Sequence, residues 1–291
     1  MEHSLYDQIL LICKTGHLGA QSLAGEIALW LDKKSYATQI CESANLTQAS
    51  ITGQKPLAIV LGGDGTMLSV GRCLVDLNVP ILGINFGKIG FLTNVRPNAW
   101  EEGVAQCLAG QIPMQPRLIL KWQHHRQNQE VFQGTAINDV VISHGAMARL
   151  INVNITINNE PMGVLRCDGI ILATPVGSSG YTASAGGPIL FAKTSAFVFT
   201  PICPFLRSVS PMVFPSKTTL RMSIEPGTTD CYLTIDGQET YLINANDYID
   251  ISAKPNAVIF LGKEEIFLER IRTRGLVLEQ TYNEPGRIVQ E

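Results

Sequence analysis

No apolar run in the sequence approaches the roughly 18 residues that a membrane-spanning helix needs, so no membrane segment is expected. The opening stretch Met1–Gly16 has an acid at Glu2 and no cleavage-site pattern, so no signal peptide is expected. Charge is scarce: 16% of residues are charged and the net charge is −3. That balance argues against nucleic acid as the partner. A small anion held by local groups stays compatible with it. The seven cysteines are spread singly, with no C-x-x-C pair. They read as reduced, mostly buried thiols of a cytoplasmic protein, and no residue is singled out as a metal ligand. Several motifs are missing too. Without G-x-x-x-x-G-K-[ST] there is no P-loop, and without G-x-G-x-x-G a conventional dinucleotide dehydrogenase is disfavoured. H-E-x-x-H and a kinase-type H-R-D are likewise missing. Gly177-Ser178-Ser179-Gly180 approaches a nucleophile elbow but fails G-x-S-x-G. His124 and His125 lie in a polar stretch that reads as a solvated hairpin loop, not as catalytic histidines.

What is present is apolar and periodic. The 291 residues are 45% hydrophobic, enough for one large domain or two modest ones. The first third alternates buried-strand runs (Gln8–Lys14, Tyr36–Cys41, Pro56–Gly63, Val79–Gly87) with helical spacing over Leu18–Leu31, Met67–Leu77 and Trp100–Ala109. Such repetition predicts a parallel sheet with right-handed crossovers. Near Pro116 the pattern changes. Ile151, Val153, Ile155 and Ile157 alternate with polar residues, as in an antiparallel strand with one wet face. Asn158-Asn159-Glu160-Pro161 follows as a turn. Asp236–Gly237 sits between two alternating arms and predicts a hairpin. The expected organisation is an α/β N-terminal domain over 1–115, an all-β, β-sandwich-like domain over 116–265, and a tail over 266–291 packing back on the first.

Five stretches could carry chemistry. Gly62-Gly63-Asp64-Gly65-Thr66 lies between a strand and a helix, where open sheets bind ligands. Its glycines free backbone N–H groups to face phosphate oxygens. Asp64 then acts on a ligand, or it is a helix N-cap in a tight turn; the motif alone allows both. Gly83–Asn94 is a second glycine-rich turn, in which Phe91 could stack on a flat ring or fill the core. Asn138–Asp139 opens an apolar strand. The pair suits a turn or cap, or contacts to a polar ring edge and to both hydroxyls of a ribose. Arg166 and Asp168, two apart, would share one strand face. The small-residue run Gly177–Gly187, with Tyr181 inside it, suits close contact with a polar ligand.

Together these segments resemble the NAD kinase family. The resemblance is carried by G-G-D-G-T at Gly62–Thr66, G-K-I-G-F-L at Gly87–Leu92, N-D-V-V-I at Asn138–Ile142 and D-G-I-I-L-A-T-P-x-G-S-S-G-Y at Asp168–Tyr181. The first of these is shared with lipid kinases and phosphofructokinases; the N-D and T-P-x-G-S blocks are the specific ones. The resemblance implies an active site between the two domains and transfer of the γ-phosphoryl group of ATP to the adenosine 2′-hydroxyl of NAD. It also implies a divalent cation, Mg²⁺ in the first instance, a homodimer or homotetramer, and in some members polyphosphate as donor. Asp64 matches the family's proton acceptor, with Gly63 and Gly65 lining its loop. Asn138 and Asp139 match the pair that holds NAD; Arg149, Arg166 and Asp168 match positions near the dinucleotide. Ser179, Gly180, Tyr181, Thr182, Ala183 and Ser184 match the segment around the adenosine end, and Gln238 a late contact. This chain departs from many members in having Ser179-Gly180-Tyr181-Thr182 for Thr-Ala-Tyr-Ser, and Val176 for a hydroxyl residue. The competing implications are a lipid kinase of the same superfamily, which needs a membrane-binding segment, and a non-catalytic NAD-binding sensor.

Overall fold

Three strands with near-continuous apolar sequence are buried from end to end: β1 (Gln8–Cys13), β3 (Pro56–Gly62) and β4 (Pro80–Asn85). Such runs are stable only where both sheet faces are covered. Ile9, Leu10, Leu11 and Ile12 are fully buried, each worth about 2 kcal/mol of transfer free energy. With the outer strand β2 (Thr38–Glu42) they form a parallel set in the order β2-β1-β3-β4. One face is covered by α1 (Leu18–Asp32), through Ala20, Leu23, Ile27 and Leu31, and by α3 (Trp100–Leu108), through Val104 and Cys107. α2 (Asp64–Cys73) covers the other through Met67, Leu68 and Val70. The computed structural model describes residues 5–87, 90–145, 150–205, 209–262 and 271. The expected tail thus lies outside the described residues, apart from Ile271, which is buried.

The rest of the chain is β5 (Met114–Arg126), β6 (Gln129–Ala136), β7 (Asp139–His144), β8 (Ile151–Ile157), β9 (Glu160–Cys167), β10 (Gly169–Ala173), the short α4 (Tyr181–Ser184), β11 (Ala196–Ile202), β12 (Met212–Pro215), β13 (Thr219–Ile224), β14 (Cys231–Ile235), β15 (Glu239–Ile243) and β16 (Tyr248–Leu261). The parallel sheet continues into this part. β16 pairs antiparallel with β5 and β13, while its last residues, Ile259 and Phe260, run parallel beside Pro80 and Ile81. A register shift between Lys254 and Val258 re-aims the strand. The first sheet is therefore mixed, with ten strands among the described residues. A second sheet, β12-β11-β10-β7-β14-β15, packs its inner face on the antiparallel half of the first, enclosing Trp122, Phe197, Phe199 and Leu233.

The hairpin turns follow their sequence signals. Asn158 and Asn159 (φ 49 and 67°) and Asp236 and Gly237 (φ 50 and 65°) all take positive φ, as type I′ geometry requires. Gln127 and Asn128 make a third such turn, between β5 and β6. The reading of the two neighbouring histidines as loop residues is corrected. His124 and His125 both lie within β5, and His124 is fully buried with Nε2 2.8 Å from Asp247. The polar letters around it misled because its partner is 123 residues away.

Candidate functional site

The chain leaves β1 over one face of the sheet and β3 over the other, so the connections diverge between these neighbouring strands. A crevice opens there, at their carboxyl ends. It has a volume of about 320 Å³ and is lined by Lys14, Thr15, Ser43, Gly63, Gly65, Thr66 and Ser69. The N-terminus of α2 also points into this region, adding unpaired N–H groups and a partial positive charge. Thr15 Oγ1 lies 3.1 Å from Ser43 Oγ, joining the two loops of the rim.

Asp64 is the first residue of α2, and Gly63 is the N-cap. The turn-serving reading of Asp64 therefore fails in its simple form. Its carboxylate turns away from its own helix to the loop after β4, where Oδ2 accepts from the Phe91 N–H at 2.7 Å and Oδ1 from the Leu92 N–H at 3.1 Å. Asp64 is half-buried. Two glycines are set by close approach. A Cβ on Gly62 would stand 2.7 Å from the Thr66 Cβ, and one on Gly90 would overlap the Asp64 carboxylate itself. Gly63 has open space where a Cβ would be, and Gly65 faces Gln238. Phe91 is half-buried, and its backbone, not only its ring, serves the site.

Asn138 and Asp139 stand at the amino end of β7. Asn138 is half-buried, and its carbonyl accepts from the Thr174 N–H at 2.8 Å. The Thr174 hydroxyl donates to the Ile137 carbonyl at 2.6 Å and accepts from the Gly177 N–H at 3.1 Å. A Cβ on Gly177 would overlap the Asn138 backbone. The small-residue run is thus fastened to the Asn138 loop, with Thr174 as the fastener. Within the run Tyr181, Gly180 and Ser184 are exposed and Ser179 and Ala183 half-buried, so these five face outward in part or whole. Thr182 is fully buried beneath them and packs against Gly187. Ser179 Oγ donates to the Val176 carbonyl at 3.3 Å.

The Asp139 carboxylate is buried and accepts no hydrogen bond from the described residues. Burial pushes its pKa up to about 7, with a smaller push from the neighbouring Asp236. On Asp236's other side stands Arg72. A carboxyl harder to ionise when folded contributes stability that is complete below its unfolded pKa. That stability is lost as pH rises through about 7. Asp139→Asn should therefore gain Tm relative to the natural protein, by a margin that widens from about pH 5 to about pH 8. Differential scanning calorimetry at both values checks this; a margin that stays constant or shrinks contradicts it.

Not every expected residue gathers here. Asp168 lies at the bend between β9 and β10, and its carbonyl accepts from the His144 N–H at 3.3 Å. That is the far end of β7 from Asp139, roughly 17 Å away at 3.4 Å per residue. Arg166 is exposed in β9, with its guanidinium 5.0 Å from the Phe205 ring. Arg149 lies outside the described residues. Gln238 is present at the site, but its amide is engaged by protein: Nε2 donates to the Gly65 carbonyl at 2.8 Å, and Oε1 accepts from Arg72 at 3.0 Å. Arg72 and Asp236 were not legible as site residues, and Thr174 was visible only as a letter of the T-P-x-G-S block. An arginine inside a helix and an Asp in a turn signal nothing until long-range contacts exist. Among the described residues no three His, Cys, Asp or Glu side chains converge as a metal site.

Two family models match, the ATP-NAD kinase N-terminal domain over residues 39–112 and the ATP-NAD kinase C-terminal domain over residues 137–262. The chain is 37% identical over 281 residues to the NAD kinase of Nitratidesulfovibrio vulgaris (strain DSM 19637 / Miyazaki F), covering 96% of this chain and 99% of that one. It is 36% identical to the NAD kinase of Lawsonia intracellularis, covering 94% and 97%. Its fold is similar to that of yeast NADH kinase complexed with NADH, with a TM-score of 0.77 and 20% identity over 100% of this chain and 94% of that one. It is also similar to an NAD kinase from Archaeoglobus fulgidus in complex with ATP, with a TM-score of 0.72 and 24% identity over 91% and 99%.

Proposed function

The chain belongs to the ATP-NAD kinase family and is a kinase that phosphorylates NAD, and from that premise we propose how its residues divide the reaction. ATP places its phosphates in the crevice between β1 and β3. There the N-terminus of α2 and the Lys14 ammonium offset their charge. NAD lies across Asn138 and Asp139 and under the Tyr181 segment, with its adenosine 2′-hydroxyl at Asp64. The proton of that hydroxyl passes to Asp64 as its oxygen bonds to the γ-phosphorus, and the bond to the β-phosphate oxygen breaks, releasing ADP and NADP. The observation that carries this assignment is the carboxylate of Asp64. Its neighbours Gly63 and Gly65 line the crevice, and its carboxylate is fixed by two amides of a second loop. A fixed carboxylate within about 3 Å of the hydroxyl suffices, because most of the catalysis is positioning.

A divalent cation, Mg²⁺ in the first instance, enters with the donor. The described residues form no cage for a cation, and Mg²⁺ commonly rides on substrate phosphates with few protein ligands. When bound it would neutralise phosphate charge. We further read the protein as a cytoplasmic homodimer or homotetramer serving NADP biosynthesis, with units 1–115 and 116–265 meeting at the site. Support for this comes from the family resemblance and the unpaired cysteines. Among the described residues no helix is long and apolar enough to cross a membrane. The comparisons do not favour the lipid-kinase or sensor readings.

Purified protein with NAD, ATP and Mg²⁺, coupled to an NADP-specific dehydrogenase, is expected to produce NADPH. NAD binding without NADPH would restore the sensor reading. Repeating the assay with other triphosphates and polyphosphate fixes the donor.

A further inference from the structure

The acid of the β14–β15 turn is not explained by the turn. Asn-Gly makes a type I′ turn as well as Asp-Gly does, yet the side chain of Asp236 is fully buried. Burying a carboxylate costs several kcal/mol unless it is paired and fully hydrogen-bonded. Here it is. Its oxygens accept from three successive backbone amides, Ile137 at 3.1 Å, Asn138 at 2.7 Å and Asp139 at 3.1 Å, and from Arg72 Nη1 at 2.8 Å. Its own N–H donates to the Asp139 carbonyl at 2.9 Å. Three consecutive N–H groups facing one anion form a nest, and this nest is the loop that presents Asn138 and Asp139.

Arg72 belongs to the other half of the site, on the helix that begins with Asp64. It is nearly buried, and its Nη2 donates to Gln238 Oε1 at 3.0 Å and to Glu239 Oε1 at 2.8 Å. Gln238 in turn donates to the carbonyl of Gly65, the residue after Asp64. The β14–β15 turn therefore grips α2 near both ends and grips the Asn138 loop through its amides. The Gly65 contact reaches the rim of the crevice from outside, and the grips on Arg72 and on the Asn138 loop lie away from its lining.

We propose that Asp236 and Arg72 are positioning residues for phosphoryl transfer: they clasp the helix that presents Asp64 to the loop that presents Asn138 and Asp139. This rests on the assignment of Asp64 and of the Asn138 loop above. The clasp fixes the distance between acceptor ribose and proton acceptor before either substrate binds. Gln238 is its third member and acts on the Gly65 carbonyl, not on NAD.

The test is a double-mutant cycle on the full chain, using Arg72→Met, Asp236→Asn and both together, in the coupled NADPH assay with circular dichroism melts. Asn at position 236 keeps the turn. Each single substitution is expected to lower kcat by tenfold or more, up to about 10²-fold, with a smaller change in KM for NAD. The double variant is expected to lose little beyond the worse single, because the two act as one unit. Gln238→Leu cuts the Gly65 contact while leaving the ion pair in place. It is expected to lower kcat several-fold with Tm unchanged. Losses that multiply in the double variant overturn the clasp. So does a lowered Tm with unchanged kcat below the melting range. If the buried-pair variants do not fold, an unchanged kcat in Gln238→Leu overturns it alone. No turnover by the natural protein removes the kinase assignment, and the clasp's catalytic role with it. Turnover by the natural protein with unaltered variants removes the clasp only.

Discussion

Asp64→Asn is expected to lower kcat by on the order of 10²- to 10⁴-fold while leaving NAD affinity nearly as it was. The range is that of a positioned acid or base that moves one proton in the transition state. Two effects of the substitution act together. The amide has no useful basicity, so the 2′-hydroxyl proton has nowhere to go. The amide also disturbs the loop it faces. Asp64 accepts from two N–H groups, and an Asn has one acceptor oxygen, so its NH₂ would confront either Phe91 N–H or Leu92 N–H. Asp64→Ser separates the effects. It gives up the base and leaves both amides to water, with no donor forced against a donor. If the proton role dominates, Ser and Asn fall to similar kcat values; if loop disturbance dominates, Ser retains more. Affinity should survive in both, because Asn138, Asp139 and the Tyr181 segment are held by Asp236 and Thr174 and not by Asp64. Isothermal titration with NAD and steady-state kinetics measure the two quantities independently. Equal losses in affinity and kcat, or retained turnover, would remove Asp64 as proton acceptor.

What was legible in the sequence divides by the range of the interaction that decides each feature. β1, β3 and β4 were readable because an unbroken apolar run has one stable place, inside a doubly covered sheet. β8 was readable from its alternation, and the type I′ turns from Asn-Asn and Asp-Gly. The joining of two sheets' worth of strands through β16 was not. It depends on a bulge near Asn256 and on a two-residue parallel pairing with β4, and neither leaves a local signature. The site divides the same way. The glycine-rich loop could be found by its composition. Even so, the motif left Asp64 undecided between turn and ligand, and only the Phe91 and Leu92 amides, 27 and 28 residues away, show that it serves another loop. Asp236 reversed the error. Its sequence explained a turn so well that nothing asked for a second role, and its partners lie 97 to 164 residues off.

Gly90→Ala is expected to abolish most activity while costing little stability, a combination that few substitutions near a site produce. The Cβ it adds would fall on the Asp64 carboxylate, and the three nearest atoms it would meet all belong to that one side chain. The carboxylate is what must yield. Rotating it away gives up the bonds to Phe91 and Leu92, about 1 kcal/mol each net, or somewhat more for a charged acceptor. Water can replace part of that at a half-buried position. These two bonds are together worth about 1–3 kcal/mol, so Tm is expected to fall by a few degrees. The reaction loses the group that fixes the 2′-hydroxyl, and a displacement on the order of 1 Å can cost 10²-fold in rate. Adding Asp64→Asn to Gly90→Ala should then lower kcat little further, because the carboxylate is already out of place. The pair also separates a misplaced base from a blocked substrate site. If the methyl acted by excluding NAD, KM would rise with kcat maintained at saturation, and Asp64→Asn would still cost its full factor in the double variant. A Gly90→Ala enzyme with normal kcat would mean that Asp64 does not occupy its catalytic position through contact with this loop.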